Sequence, residues 1–306
     1  MGPALRCAGL LVAAVLSAAC DRAQTQSSRD STAKIWEEFS GEKALAHVQA
    51  QVDFGPRPPG TEAIEKTRNY LTNQLELSGW KVSRQSFSGA TPRGKVAFVN
   101  LIATFPGKNN APSFLVCSHY DTKVFDDVRF VGANDGGSST GVLLELARVL
   151  ARRPDLARKT ELVFFDGEEA YESFSETDGL YGSRYFAKDL AAQGKTKQFR
   201  GGVVLDMVGD RSLTITLPPD SPAEMARDIF AAADALNLRK YFTYFDRDIM
   251  DDHTPLNEAG IPTIDLIDFD FAAWHTPGDT MDKVSAESLR IVGTVTCYYL
   301  SETALK

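Results

Sequence analysis

Four apolar residues, Leu162-Val163-Phe164-Phe165, run directly into Asp166-Gly167-Glu168-Glu169. A short run of that composition reads as a buried strand, which puts the acidic cluster at its carboxyl end. An unpaired carboxylate there is so unfavourable that it neutralises or finds a cation. Adjacent side chains at a strand end point in different directions, so Glu168 and Glu169 can do separate jobs. One can hold a metal while the other moves protons.

The rest of the chain has the rhythm that such a strand needs. Lys34 to Val52 and Thr61 to Leu77 have helical spacing, the second capped by Thr61, with the rigid Phe54–Gly60 loop between them. Lys81 to Phe87 and Lys95 to Phe105 read as strands, as do Ser113 to Ser118, Glu161 to Phe165, Gly202 to Met207 and Ile261 to Ile267. Helical stretches lie among them at Ser139 to Arg152, Gly179 to Ala192, Ser221 to Leu236 and Val284 to Ala304. The alternation predicts an α/β fold, a three-layer sandwich around a mostly parallel, mixed central sheet. In such sheets ligands bind beyond the carboxyl ends of the strands.

At 306 residues, 43% hydrophobic and 24% charged, the chain has the composition of a soluble globular protein. A net charge of −8 without a Lys/Arg stripe argues against a nucleic-acid partner. Residues 1–20 read as a signal peptide: Arg6, an apolar stretch from Gly9 to Ala19 too short to span a bilayer, then small residues before Cys20. Leu16-Ser17-Ala18-Ala19-Cys20 also resembles a lipobox, although Ser17 stands where Leu is usual. A periplasmic protein or a lipoprotein tethered to the membrane through Cys20 are both open. Residues 21–33 then form a polar tether, and 34–306 a single catalytic domain expected to be a monomer. Cys117 and Cys297 remain in that body, and their pairing is open. Glu37-Glu38 and Arg152-Arg153 read as solvated charges.

Ionisable residues recur where strands end: His119-Tyr120-Asp121, Asn134-Asp135, Glu168-Glu169, Asp206 and Trp274-His275. One imidazole and two carboxylates are good zinc ligands, and a catalytic zinc keeps a position open for water or substrate. A lone His is more often a hydrogen-bonded structural residue than a ligand. Here three of the four, His119, His253 and His275, fall in the same set of loops, while His47 lies in a helical stretch.

With these motifs in order, the chain resembles the animal-type glutaminyl-peptide cyclotransferases and their bacterial relatives, within the zinc aminopeptidase superfamily. The resemblance rests on His119-Tyr120-Asp121, Gly132-Ala133-Asn134-Asp135, Phe164 to Ala170, Leu180 to Arg184, Asp251 to Pro255 and Trp274-His275-Thr276. It implies one Zn(2+) held by Asp135, Glu169 and His275. It makes Glu168 the general acid/base, with Asp206 and Asp251 in its carboxylate network. Trp274, Phe174 and Asp265 become substrate contacts. Phe174 and Asp265 depart from the animal pattern, which has Trp and His there. A disulfide near the zinc loop of the animal enzymes has no counterpart, since Thr140 stands at one partner's position. The implied substrates are peptides or proteins with N-terminal Gln, converted to pyroglutamate. Two rivals stand beside this reading. A dizinc aminopeptidase would add His119 and Asp206 as ligands of a second metal. A noncatalytic binding domain would be expected to lose ligands that are all present here.

Overall fold

The computed structural model describes residues 34–109 and 111–306. The expected signal peptide and tether lie outside the described residues. A 3-10 turn at Ile35–Glu38 leads to α1 (Gly41–Phe54), whose first turn is capped by Ser40 accepting the N–H of Lys43. Thr61 caps α2 (Glu62–Leu77) by accepting from the N–H of Ile64, the role its position predicts. The hairpin β1 (Lys81–Thr91) and β2 (Gly94–Thr104) follows, then β3 (Ser113–His119) and α3 (Gly137–Leu150). A single turn α4 (Pro154–Ala157) precedes β4 (Thr160–Phe165), α5 (Tyr181–Ala192) and β5 (Phe199–Asp206). The chain continues through β6 (Ile215–Leu217), α6 (Ala223–Ala235), β7 (Phe242–Tyr244) and α7 (His253–Glu258). It ends with β8 (Thr263–Ile267), α8 (Ala286–Tyr299) and a wider turn at Leu300–Ala304.

The strands form one eight-stranded sheet in the order β1-β2-β4-β3-β5-β8-β6-β7. Its centre, β4-β3-β5-β8, is parallel, while the β1-β2, β2-β4 and β6-β8 pairings are antiparallel. The mixed three-layer α/β sandwich is therefore present. Period-two alternation sorts the central strands onto two faces. Val116, Leu162, Phe164, Val203 and Leu205 belong to the large core with α1, α2, α3, α6 and α8. Leu115, Cys117, Val163, Phe165 and Val204 point the other way, against Phe186 and Leu190 of α5 and Leu256 of α7. Each such side chain contributes roughly 1.5–3 kcal/mol by leaving water. Cys117 and Cys297 are both free and sit in different cores, on opposite faces of the sheet, which explains why they do not pair.

Because β3, β4, β5 and β8 run parallel, their carboxyl ends share one rim. That rim receives His119, the 166–169 turn, Asp206 and the loop after Ile267. His47 stays away from it, its Nδ1 2.7 Å from the Tyr70 hydroxyl. Glu38 and Arg152, expected as solvated charges, form an ion pair.

Candidate metal centre

Asp166 leaves the acidic cluster first. Its Oδ2 accepts from Arg68 Nη2 and from the N–H of Val99, both at 2.6 Å, so it braces the strand end rather than the site. Gly167 follows with φ 70°, and a Cβ there would lie 2.4 Å from the Phe98 ring. Only glycine lets the chain turn at that point. The N–H groups of Glu168 and Glu169 then donate to Asp121 Oδ1 and Oδ2 at 3.1 and 3.4 Å. One buried carboxylate thus holds the turn that presents both glutamates.

Asp135 sits just before α3, between Gly132 (φ 52°) and Gly136 (φ 72°). A Cβ on Gly136 would come within 2.9 Å of the His119 ring, so the Asp135 loop and the imidazole meet only across a glycine. His275 Nε2 lies 3.1 Å from Glu169 Oε2 and 3.4 Å from Asp135 Oδ2. The three donor atoms fall within 4.8 Å of one another. Asp135 Oδ2 and both carboxylate oxygens of Glu169 are buried without a hydrogen-bond partner. Orphaned buried carboxylate oxygens facing an imidazole fit a divalent cation.

The other side of Asp135 is different. His119 Nε2 stands 3.3 Å from Asp135 Oδ1 and 3.2 Å from Asp206 Oδ1, a second trio within 4.8 Å. Here His119 Nε2 and Asp206 Oδ1 share a hydrogen bond, so the Asp206 oxygen is not orphaned as those of Glu169 are.

These charges move one another's acidity. Burial alone would lower His275, but the Asp135 and Glu169 carboxylates beside it push it up to about 9. Burial would raise Asp135, yet His119 and His275 hold it below the carboxylate range. Burial drives Glu168 well above its usual range; His119 opposes this, and Glu169, Asp251 and Asp252 add to it. Asp206 is pushed up to about 7, chiefly by burial, against the pull of His119.

A cavity of about 200 Å3 opens over the centre, lined by Asp135, Glu168, Asp206, Asp251 and His275 at its polar end. Phe174, Ile249, Met250, Phe269 and Trp274 form the apolar wall. That volume is below the roughly 300–1,000 Å3 of drug-sized sites, so it suits one residue at a chain terminus. Trp274 is 39% exposed and stacks on His275 with ring centroids 4.1 Å apart, so it is not core packing. Asp265, expected as a substrate contact, is fully buried and does not line the cavity. It lies against Asp251 and 3.6 Å from His253 Nδ1, and burial together with Asp251 and Asp206 raises it well above the carboxylate range. The expected contact gives way to support for Asp251 from behind, because β8 aims this side chain into the protein interior.

The sequence profile of peptidase family M28 matches residues 100–300, the stretch that carries every one of these groups. The chain belongs to peptidase family M28. Similar proteins include the glutaminyl-peptide cyclotransferase of Drosophila melanogaster, 30% identical over 83% of this chain and 80% of that protein. Among solved structures, the glutaminyl cyclase of an Acidobacteriales bacterium superposes with a TM-score of 0.80 at 30% identity, covering 87% of this chain and 95% of that one. A Zn-dependent exopeptidase from Parabacteroides distasonis superposes at 0.79 with 28% identity, over 86% and 98% of the two chains. The M28 fold thus serves both reaction types among these neighbours.

Of the residues expected from sequence, Asp135, Glu168, Asp206, Asp251, His275, Phe174 and Trp274 line one cavity, with Glu169 beside Asp135 and His275. Reading from sequence misses the walls Ile249, Met250 and Phe269, and the role of Asp121 in holding the Glu168–Glu169 turn. The His119-Tyr120-Asp121 spacing was a usable signal for Asp121. Nothing in residue type marks the others.

Proposed function

We propose that the protein is a zinc-dependent glutaminyl-peptide cyclotransferase, converting N-terminal Gln of peptides to pyroglutamate with release of ammonia. The observation that carries the reading is the asymmetry around Asp135. Unpartnered carboxylate oxygens, Asp135 Oδ2 and both of Glu169, gather on the Glu169–His275 side, whereas on the other side Asp206 Oδ1 shares a hydrogen bond with His119 Nε2. This supports one ion, held by Asp135, Glu169 and His275, rather than the two of an aminopeptidase. Bound there, zinc supplies a Lewis acid beside the substrate's side-chain amide carbonyl.

The remaining chemistry needs little from the protein. An N-terminal Gln carries its own nucleophile and electrophile, so holding it in one geometry supplies much of the rate. The cavity admits a single terminal residue, with Phe174 and Trp274 packing against it. Glu168, buried and raised in pKa, takes a proton from the α-amine as the new N–C bond forms. It returns that proton to the amide nitrogen as the C–N bond breaks and ammonia leaves. Asp206 and Asp251 line the cavity beside Glu168 as its carboxylate network. Residues 1–20 direct export, with Cys20 as a tether where it is lipidated.

Ammonia release should be followed on a Gln-initiated peptide and on the same peptide acetylated at its α-amine. The proposal expects release only from the free amine. Equal release from both would make the protein a side-chain amidase, and release from neither would sink the proposal.

A further inference from the structure

Asp135 and His275, two ligands of the same proposed ion, come from loops far apart in sequence, and no strand pairing joins them. One buried residue does. Asp279 is fully buried and does not line the cavity. Its Oδ1 accepts the N–H of Asn134 at 2.7 Å and its Oδ2 that of Asp135 at 3.0 Å. Its backbone N–H donates to the carbonyl of Thr276 at 3.2 Å, and its carbonyl accepts from the N–H of Ala133 at 3.5 Å. Thr276 adjoins His275, whose φ of 54° is a left-handed conformation. A side-chain-bearing residue keeps that conformation only where its surroundings impose it.

The Asp135 loop is also held from its other end. The fully buried Arg57 donates from Nη1 to the carbonyl of Val131 at 2.6 Å and from Nη2 to that of Gly132 at 3.0 Å. A guanidinium therefore takes the loop's carbonyls and a carboxylate takes its amides. Only the carboxylate reaches the ligand residue itself, and only it is tied to the His275 turn.

We infer that Asp279 is a positioning residue of the metal centre: by clamping the Asp135 loop to the turn after His275, it sets the separation of two ligands of one ion. The inference rests on the zinc reading above. Residues that orient metal ligands from behind are worth about 10–100-fold in metal affinity. Asn at this position keeps one acceptor oxygen and turns an NH2 against the second amide. Ala accepts from neither.

The test is the zinc dissociation constant, measured by chelator competition, for the parent, Asp279→Asn and Asp279→Ala. Glu145→Gln is the control: Glu145 is an equally buried carboxylate that accepts the N–H of Ser40 at 2.9 Å and touches no ligand loop. Asp279→Asn should weaken zinc binding about 10–100-fold and Asp279→Ala further, with Glu145→Gln close to the parent. The near-isosteric Asn variant carries the test alone if the Ala variant does not fold. Unchanged affinity in Asp279→Asn, or an equal loss in Glu145→Gln, would overturn the inference while leaving the zinc site standing. A parent that binds no zinc would overturn the zinc reading, and the inference with it.

Discussion

Glu169 stands 3.1 Å from His275, while Glu168, one residue earlier, lines the cavity without touching that imidazole. The Gly167 turn and the Asp121 clamp make this division, since they fix the backbone between two side chains that leave it in different directions. Glu168→Gln keeps the shape and removes the proton carrier. It should lower kcat by about 10²–10⁴-fold while zinc content per chain, measured by elemental mass spectrometry, stays at the parent's level. Loss of the zinc together with the activity would instead make Glu168 a ligand. That Asp135, Glu169 and His275 gather was legible because each is an ionisable residue in a loop beyond a strand; their choice as a ligand set comes from the family resemblance. The loop-holding roles of Asp121 and Asp279 were not legible, although the His119-Tyr120-Asp121 motif placed Asp121 at a strand end: their partners are backbone amides, and an amide looks the same whatever residue carries it. Asp265 was misread for a related reason. Its side of the strand is set by the register of β8 against β5, which pairs Asp265 with Val204.

At the scale of elements, the helices and central strands follow from patterns five or more residues long. β6 and β7 have three residues each, too few for a period to show, and they exist because the sheet offers them an edge. α7 likewise spans one and a half turns, yet it brings Asp251 to the cavity from its amino-terminal side. Caps were readable where a side chain meets its own helix. Thr61 is the clearest, its oxygen accepting from the N–H of Ile64 at 3.3 Å. Thr61→Ala should cost about 1 kcal/mol of stability in denaturant unfolding, with zinc affinity unchanged. A change in zinc affinity would show that α2 is coupled to the site, contrary to its place at the far end of the Arg57 loop.

For the whole molecule, parallel strands do the organising: one rim collects the ionisable groups of the site, and the price is a concentration of buried acids. Outside the proposed ligand set, burial pushes Glu161 from its ordinary 4.5 up to about 7, against Lys195, and raises Asp268 from 3.8 to about 8, aided by Asp270. Both groups bind protons more tightly folded than unfolded, so their contribution favours the folded state at low pH. It is lost as pH rises from about 4 through 7 to 8. The metal-free protein should therefore show a higher Tm at pH 5.5 than at pH 8, read by calorimetry. A Tm that rises over that range would mean these carboxylates have partners when folded that keep them ionised.

The account as a whole turns on cyclisation rather than peptide-bond cleavage, and one mass-spectrometric measurement separates them most directly. Residues 34–306, loaded with one equivalent of zinc, would be incubated with a Gln-initiated and a Leu-initiated peptide in the same tube. The account predicts that the Gln peptide loses the mass of ammonia and the Leu peptide stays whole. Free leucine in the products would contradict it, and would promote His119 and Asp206 to ligands of a second zinc.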